Sequence, residues 1–189
     1  MRLSRYLYKA DLTILEFPEL RQTFHYDCGA SALQSILIYY GYNVREDKIM
    51  RLAGTTDEYG TPIEGIEKVA KSYGLNVIQK SGLTINDVIG YIEQGYPVLM
   101  PIQAWSDEPM DYSTLWDEGH WVIAIGYDHE KIYFEDPSSV VRATIMFNEL
   151  NLRWHDIKVD GTKLEHFAMI IQGEPKYTYN DHIVMEDKR

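Results

Sequence analysis

The sequence holds one cysteine in 189 residues. An intrachain disulfide and a CxxC metal knuckle are therefore excluded, and a single thiol is left to explain. A lone thiol is ordinary in a reducing cytosol. Basic residues are also scarce, with 18 Lys and Arg against 29 Asp and Glu and a formal charge of -11. So acidic a chain repels phosphate backbones, and no nucleic-acid partner is expected. No apolar run approaches the roughly 20 residues of a membrane span, so no membrane partner is expected either. The segment from Met1 to Leu20 alternates charged and apolar residues and lacks the apolar core and small-residue cleavage site of a secretion signal. These absences predict a soluble, cytoplasmic protein. Repeats, low-complexity tracts and Pro/Gly/Ser linkers are missing too. So are GxSxG and HExxH, which counts against an elbow-type serine hydrolase and a zinc peptidase.

What is present suits one globular domain, read as residues 1–173 with a polar C-terminal tail at 174–189. Helical patterns come first and strands mostly follow, which predicts an α+β fold. The first helix spans 28–40, with Asp27 as N-cap, an apolar stripe at Leu33, Ile36, Leu37 and Tyr40, and Gly41 as its stop. Further helices are expected at 45–53, 61–74, 84–95 and 149–156. Thr61-Pro62-Ile63-Glu64 reads as a capping box with proline at the first helical position, and Thr84 with Asp87 marks the start of the next helix. Strands are expected at 97–103, 120–127, 131–135, 140–146 and 166–171. The run HWVIAIGY at 120–127 is too apolar for a half-exposed strand and should be central. The loop at 106–119 is long, aperiodic and rich in carboxylates.

A lone cysteine is most often a small core residue. Cys28, however, opens a predicted helix, where the dipole favours a thiolate. Gly29 beside it would leave room for a substrate backbone. A thiolate nucleophile needs a base, and there are six histidines. His25 lies in a loop, His129 at a hairpin tip, His155 and His182 in polar surroundings, and His166 at the start of a strand. His120 alone opens a buried strand at the end of the long loop. The hairpin back to Asp136 has two candidate registers, centred on Asp128 or His129. Both have even parity, so His120 and Asp136 share a face at about 5 to 8 Å between Cβ atoms. Asp136 then reads as the orienter of His120, against the alternative of a turn residue before Pro137. An oxyanion needs donors: the Cys28 backbone N–H is one, and the Gln22 amide is a candidate for the other.

Gln22, Tyr26-Asp27-Cys28-Gly29-Ala30 and Tyr39-Tyr40-Gly41 together resemble the nucleophile segment of the bacteriocin-processing peptidases, family thirty-nine of the papain-like cysteine peptidases. Gly60-Thr61-Pro62 with Tyr73-Gly74-Leu75 resembles that family's middle section. Gly119-His120-Trp121-Val122, Gly126-Tyr127-Asp128 and Asp136-Pro137 resemble its His/Asp hairpin. The resemblance implies a papain-like fold, with a helical half led by the Cys28 helix packed on an antiparallel sheet. It implies a cysteine peptidase with Cys28, His120, Asp136 and Gln22 as catalytic residues, a peptide or protein substrate, and no metal or organic cofactor. Well-known members cut leader peptides after two glycines at the front of export transporters. With no membrane span and no GxxxxGK[ST] motif in this sequence, any transporter partner would be separate. Other acyl transfers (deamidation, amide hydrolysis, transpeptidation) and a non-catalytic peptide-binding role remain alternatives. The acidic loop, with Asp107, Glu108, Asp111, Trp116 and Gly119 and with Trp105 just before it, is a candidate substrate rim for a basic peptide, alongside the plainer reading of a solvated loop.

Overall fold

The computed structural model describes residues 12–105 and 111–176. In chain order they form β1 (Thr13–Ile14), α1 (Cys28–Tyr39), α2 (Glu46–Ala53), α3 (Ile63–Ser72), β2 (Asn76–Lys80), α4 (Ile85–Glu93), β3 (Val98–Gln103), a 3-10 turn (Tyr112–Thr114), β4 (Gly119–Tyr127), β5 (Lys131–Glu135), β6 (Ala143–Met146), α5 (Phe147–Arg153), β7 (His155–Ile157), β8 (Lys163–Glu165) and β9 (Ala168–Gln172). Six strands run in the order β2-β9-β3-β4-β5-β6, all antiparallel, and β1 adds to β4. β7 and β8 make a separate two-stranded ribbon.

Strand β4 is central and apolar on both faces, as its sequence requires. Trp121, Ile123 and Ile125 join the apolar cluster built on α1, α2 and α3. Val122 and Ala124 join a second cluster with Val88 and Ile92 of α4 and Leu150 of α5. The sheet therefore has helices on both faces, which removes the polar alternation a half-exposed strand would show.

Helix α1 is buried nearly all round, with Ala30, Ala32, Leu33, Ile36 and Leu37 fully inaccessible. It stops at Gly41, whose φ of 85° suits only glycine without strain. Asp27 stands at the N-cap position but makes no side-chain cap bond. Its carboxylate instead accepts from the Phe24 N–H and so folds the preceding loop back. Helix α3 starts later than expected, with Pro62 as N-cap and no capping box. The Thr61 hydroxyl is taken by Thr55, and Glu64 pairs with Lys158. The Thr84/Asp87 capping box on α4 is present.

Strands β1, β2, β7 and β8 were not expected. The first and the last two are two or three residues long, too short to carry a period, and β2 is an edge strand with mixed exposure. The expected helix at 149–156 lies at Phe147–Arg153, and its expected end is strand β7. The strand expected from residue 140 begins at Ala143, with Val140 and Val141 exposed in the connection. Residues 174–176 run along the end of α1, where the Lys176 N–H donates to the Tyr39 carbonyl.

Candidate active site

In antiparallel β3, β4 and β5, the end of β3, the start of β4 and the end of β5 lie at one edge of the sheet. Trp105, His120 and Asp136 are consequently neighbours. The pairing of β4 with β5 decides which way His120 and Asp136 point. Near the turn, Tyr127 faces Ile132 and Gly126 faces Tyr133, an odd register unlike either expected one. Between Ala124 and Gly126 the register shifts, and beyond it Ala124 faces Phe134 and Ile123 faces Glu135. Continued by one residue, this places Asp136 opposite Val122, diagonal to His120 and on the same face. Without the shift the two side chains would lie on opposite faces, because a slip of one residue inverts a strand.

His120 is 8% exposed. Its Nε2 meets Asp136 Oδ1 at 2.6 Å, and the Cys28 side chain lies close enough to the ring to bear on its charge. Burial alone would push the His120 pKa down. The neighbouring Asp136 and Cys28 side chains outweigh burial and raise it to about 9. His120 is therefore an imidazolium at neutral pH, paired with the Asp136 carboxylate.

Asp136 is 1% exposed. Burial pushes its carboxyl up, but the bonds from His120 and Ser138 hold it below the usual carboxylate range. Oδ1 accepts from His120 and from the Ser138 N–H and hydroxyl, both at 2.9 Å. Oδ2 accepts from the Trp105 indole N–H at 2.7 Å.

Gln22 approaches from the other side. Its backbone N–H donates to the Pro137 carbonyl at 2.9 Å. Just before it, the Leu20 N–H and the Arg21 guanidinium both bind Glu135, at 3.2 and 2.6 Å. The Gln22 Nε2 donates to the Phe24 carbonyl at 2.7 Å, and its Oε1 is buried with no partner among the described residues. The amide is thus folded into its own loop.

Cys28 opens onto a cleft of about 440 Å3 also lined by Tyr26, Thr61, Trp121, Gly119 and Asp156. Beside Gly29 there is no spare room for a substrate backbone: a Cβ there would lie 2.8 Å from Thr61 Cβ and 2.9 Å from Trp121 Cδ1. The missing side chain serves helix–sheet packing instead. Of the expected rim residues, Trp116 and Gly119 line the cleft, as does Asp117 of the same loop. Trp116 also packs on His155, with ring centroids 4.5 Å apart. Asp111 caps the 3-10 turn through Ser113 rather than reaching into the cleft. Trp105 is turned onto Asp136. Asp107 and Glu108 lie outside the described residues. His155, expected in polar surroundings, is buried and bonds the Leu115 carbonyl at 2.7 Å.

Asp156 was missed because it falls in a three-residue strand that the sequence disguises as a helix end. It accepts from the Ile157 N–H, packs against Gly119, and burial pushes its pKa up to about 6. Ser138 was missed as well, although Asp-Pro-Ser-Ser is a turn signature in which the aspartate accepts from two residues on.

A thiol at a buried helix N-terminus, with a histidine–carboxylate pair on the antiparallel sheet against which that helix packs, is the pattern of the papain-like cysteine peptidase fold. The model of the Peptidase_C39 like family matches residues 14–161, and the chain belongs to that family. Solved structures agree on the fold. A putative C39-like peptidase from Bacillus anthracis is 20% identical, with a TM-score of 0.66 over 88% of this chain and 100% of that one. The peptidase domain of Streptococcus ComA, a bi-functional ABC transporter, is 18% identical, with a TM-score of 0.60 over 82% of this chain and 97% of that one. A double glycine motif protease from an AMS/PCAT transporter, in complex with its leader peptide, is 17% identical, with a TM-score of 0.59 over 84% of this chain and 92% of that one. No curated protein sequence matches. Among the described residues, no helix is long and apolar enough to cross a membrane.

Proposed function

We propose that this chain hydrolyses peptide bonds through Cys28, His120 and Asp136. The observation that supports the reading is His120 itself, bonded to Asp136 through Nε2 and with the Cys28 side chain beside it raising its pKa. The Cys28 thiolate, its proton resident on His120, attacks the scissile carbonyl carbon. The oxygen of the tetrahedral intermediate takes the Cys28 backbone N–H, free at the first turn of α1, and the Gln22 Nε2 once it leaves the Phe24 carbonyl. His120 gives its Nδ1 proton to the leaving amine, which departs and leaves a thioester on Cys28. Water, deprotonated by His120, then resolves the thioester and frees the acid. Asp136 holds the imidazole throughout. The likeness to a leader-peptide complex supports a peptide substrate, and the likeness to a transporter's peptidase domain raises a transporter on a separate chain as a partner.

Digestion of a peptide library, read by mass spectrometry with Cys28→Ala as control, tests the reading. Cleavage products that appear with the wild type and vanish with Cys28→Ala are expected. Loss of ammonia without backbone cleavage would replace the peptidase by a deamidase on the same nucleophile. No Cys28-dependent product of either kind would sink the enzymatic reading.

A further inference from the structure

Trp105 is 41% exposed, yet its one polar atom points inward at the carboxylate beside His120. We propose that Trp105 is a positioning residue, whose indole N–H, backed by the Arg153 guanidinium, holds Asp136 in the orientation His120 needs. The inference rests on the catalytic reading above.

The two oxygens of Asp136 are served unequally. Oδ1 has three donors, and the one partner found for Oδ2 among the described residues is Trp105. Rotation about the Cβ–Cγ bond displaces both oxygens, so donors on Oδ1 alone hold the carboxylate from one side only. The bond at Oδ2 adds a restraint on the opposite oxygen and satisfies a buried acceptor that would otherwise be left open. An indole nitrogen is a donor only, so the bond has one possible sense.

Trp105 is itself held. It follows Gln103, whose amide spans from the His155 carbonyl to the Glu118 N–H, and Ala104, whose N–H donates to the Glu118 carbonyl. The Arg153 guanidinium lies 5.2 Å from the centre of the Trp105 ring and 3.6 Å from that of Tyr112, and it is tethered to Glu149 one helical turn earlier. A cation over the ring face draws electron density from the indole and makes its N–H a better donor.

The decisive variant is Trp105→Phe, which keeps a ring for Arg153 and removes only the donor. The three remaining indole N–H resonances in a 15N-correlated NMR spectrum report whether it is folded. In the folded variant, the His120 titration midpoint should fall by about one unit from about 9, because a loosened Asp136 supports the imidazolium less well. The kcat on a cleaved peptide should drop roughly ten- to a hundredfold with KM unchanged. In the wild type, the Trp105 indole resonance should shift on Asp136→Asn. A His120 midpoint that stays or rises overturns the proposal, since Asp136 would then keep its place without the indole. If Trp105→Phe does not fold, the Asp136→Asn comparison decides, and an unmoved Trp105 resonance overturns the proposal. A wild type that cuts no peptide defeats the peptidase reading instead, while the His120 titration and the indole shift still judge Trp105.

Discussion

His120 stands under two opposed influences: burial disfavours its charge, and the neighbouring Asp136 and Cys28 side chains favour it. Its folded pKa of about 9 lies above the ordinary value of 6.5, so the interaction contributes stability in full below pH 6.5 and loses it as pH rises through about 9. Asp136, held below 3.8, behaves in the opposite sense and loses its contribution as pH falls through its lowered value. The melting-temperature difference between wild type and His120→Gln should therefore shrink as pH passes about 9, and kcat/KM should fall over the same range as the proton for the leaving amine is lost. A rate that climbs past pH 10 would remove His120 from the acid role. Gln22→Ala should lower kcat by about a hundred- to a thousandfold, the usual loss of one oxyanion donor. An unchanged rate would leave that amide to the Phe24 carbonyl it binds in the free protein. At this scale the sequence singled out His120 among six histidines, because it opened an apolar strand at the end of the long loop, and the structure sets that ring on Asp136. It could not show Trp105 on Asp136 or Asp156 in the cleft, because both contacts arise between residues far apart in the chain.

The elements were legible where a period or a cap was long enough to read. Helices α1, α2 and α4 and strands β3, β4, β5 and β9 lie close to their expected places. The capping box of α4 formed, whereas the similar motif before α3 did not, because Thr61 found a partner in Thr55. At its His120 and Asp136 end the hairpin has the register expected for a turn centred on His129, but the odd register near the turn and the bulge that corrects it were beyond reach, since a bulge leaves no mark in a run as uniformly apolar as β4. The shift matters more than the turn, for it decides on which face Asp136 emerges. Gly29 makes the matching point for the helix. Replacing it by alanine would force α1 away from Thr61 and Trp121, and Trp121 is the residue after His120. Gly29→Ala should cost roughly 1–3 kcal/mol of stability, as overpacking does. It should also slow alkylation of Cys28 by iodoacetamide at pH 6, because the sulfur is lifted from the imidazolium. Alkylation at the wild-type rate would show that α1 can absorb the methyl group without moving its first turn.

On the scale of the molecule, the formal charge of -11 and the cleft carboxylates Asp57, Glu58, Asp117 and Asp156 present a negative field to an arriving peptide. Asp156 contributes its charge above about pH 6. Matched peptides with basic or neutral flanks should therefore differ in kcat/KM at pH 7.5 and low salt. The gap should narrow at 1 M salt, where the screening length is only about 3 Å, and also below pH 6. Equal rates under all conditions would leave the carboxylates to solubility alone. The end of strand β5 serves the molecule in one further way. Glu135 anchors Leu20 and Arg21 from more than a hundred residues away, Pro137 anchors Gln22, and Asp136 between them anchors His120. Three consecutive residues are thus a common datum for the arm that bears the Gln22 amide and for the imidazole. When the sheet breathes, both are carried by the same post, and the spacing between them is insulated from motion elsewhere in the molecule.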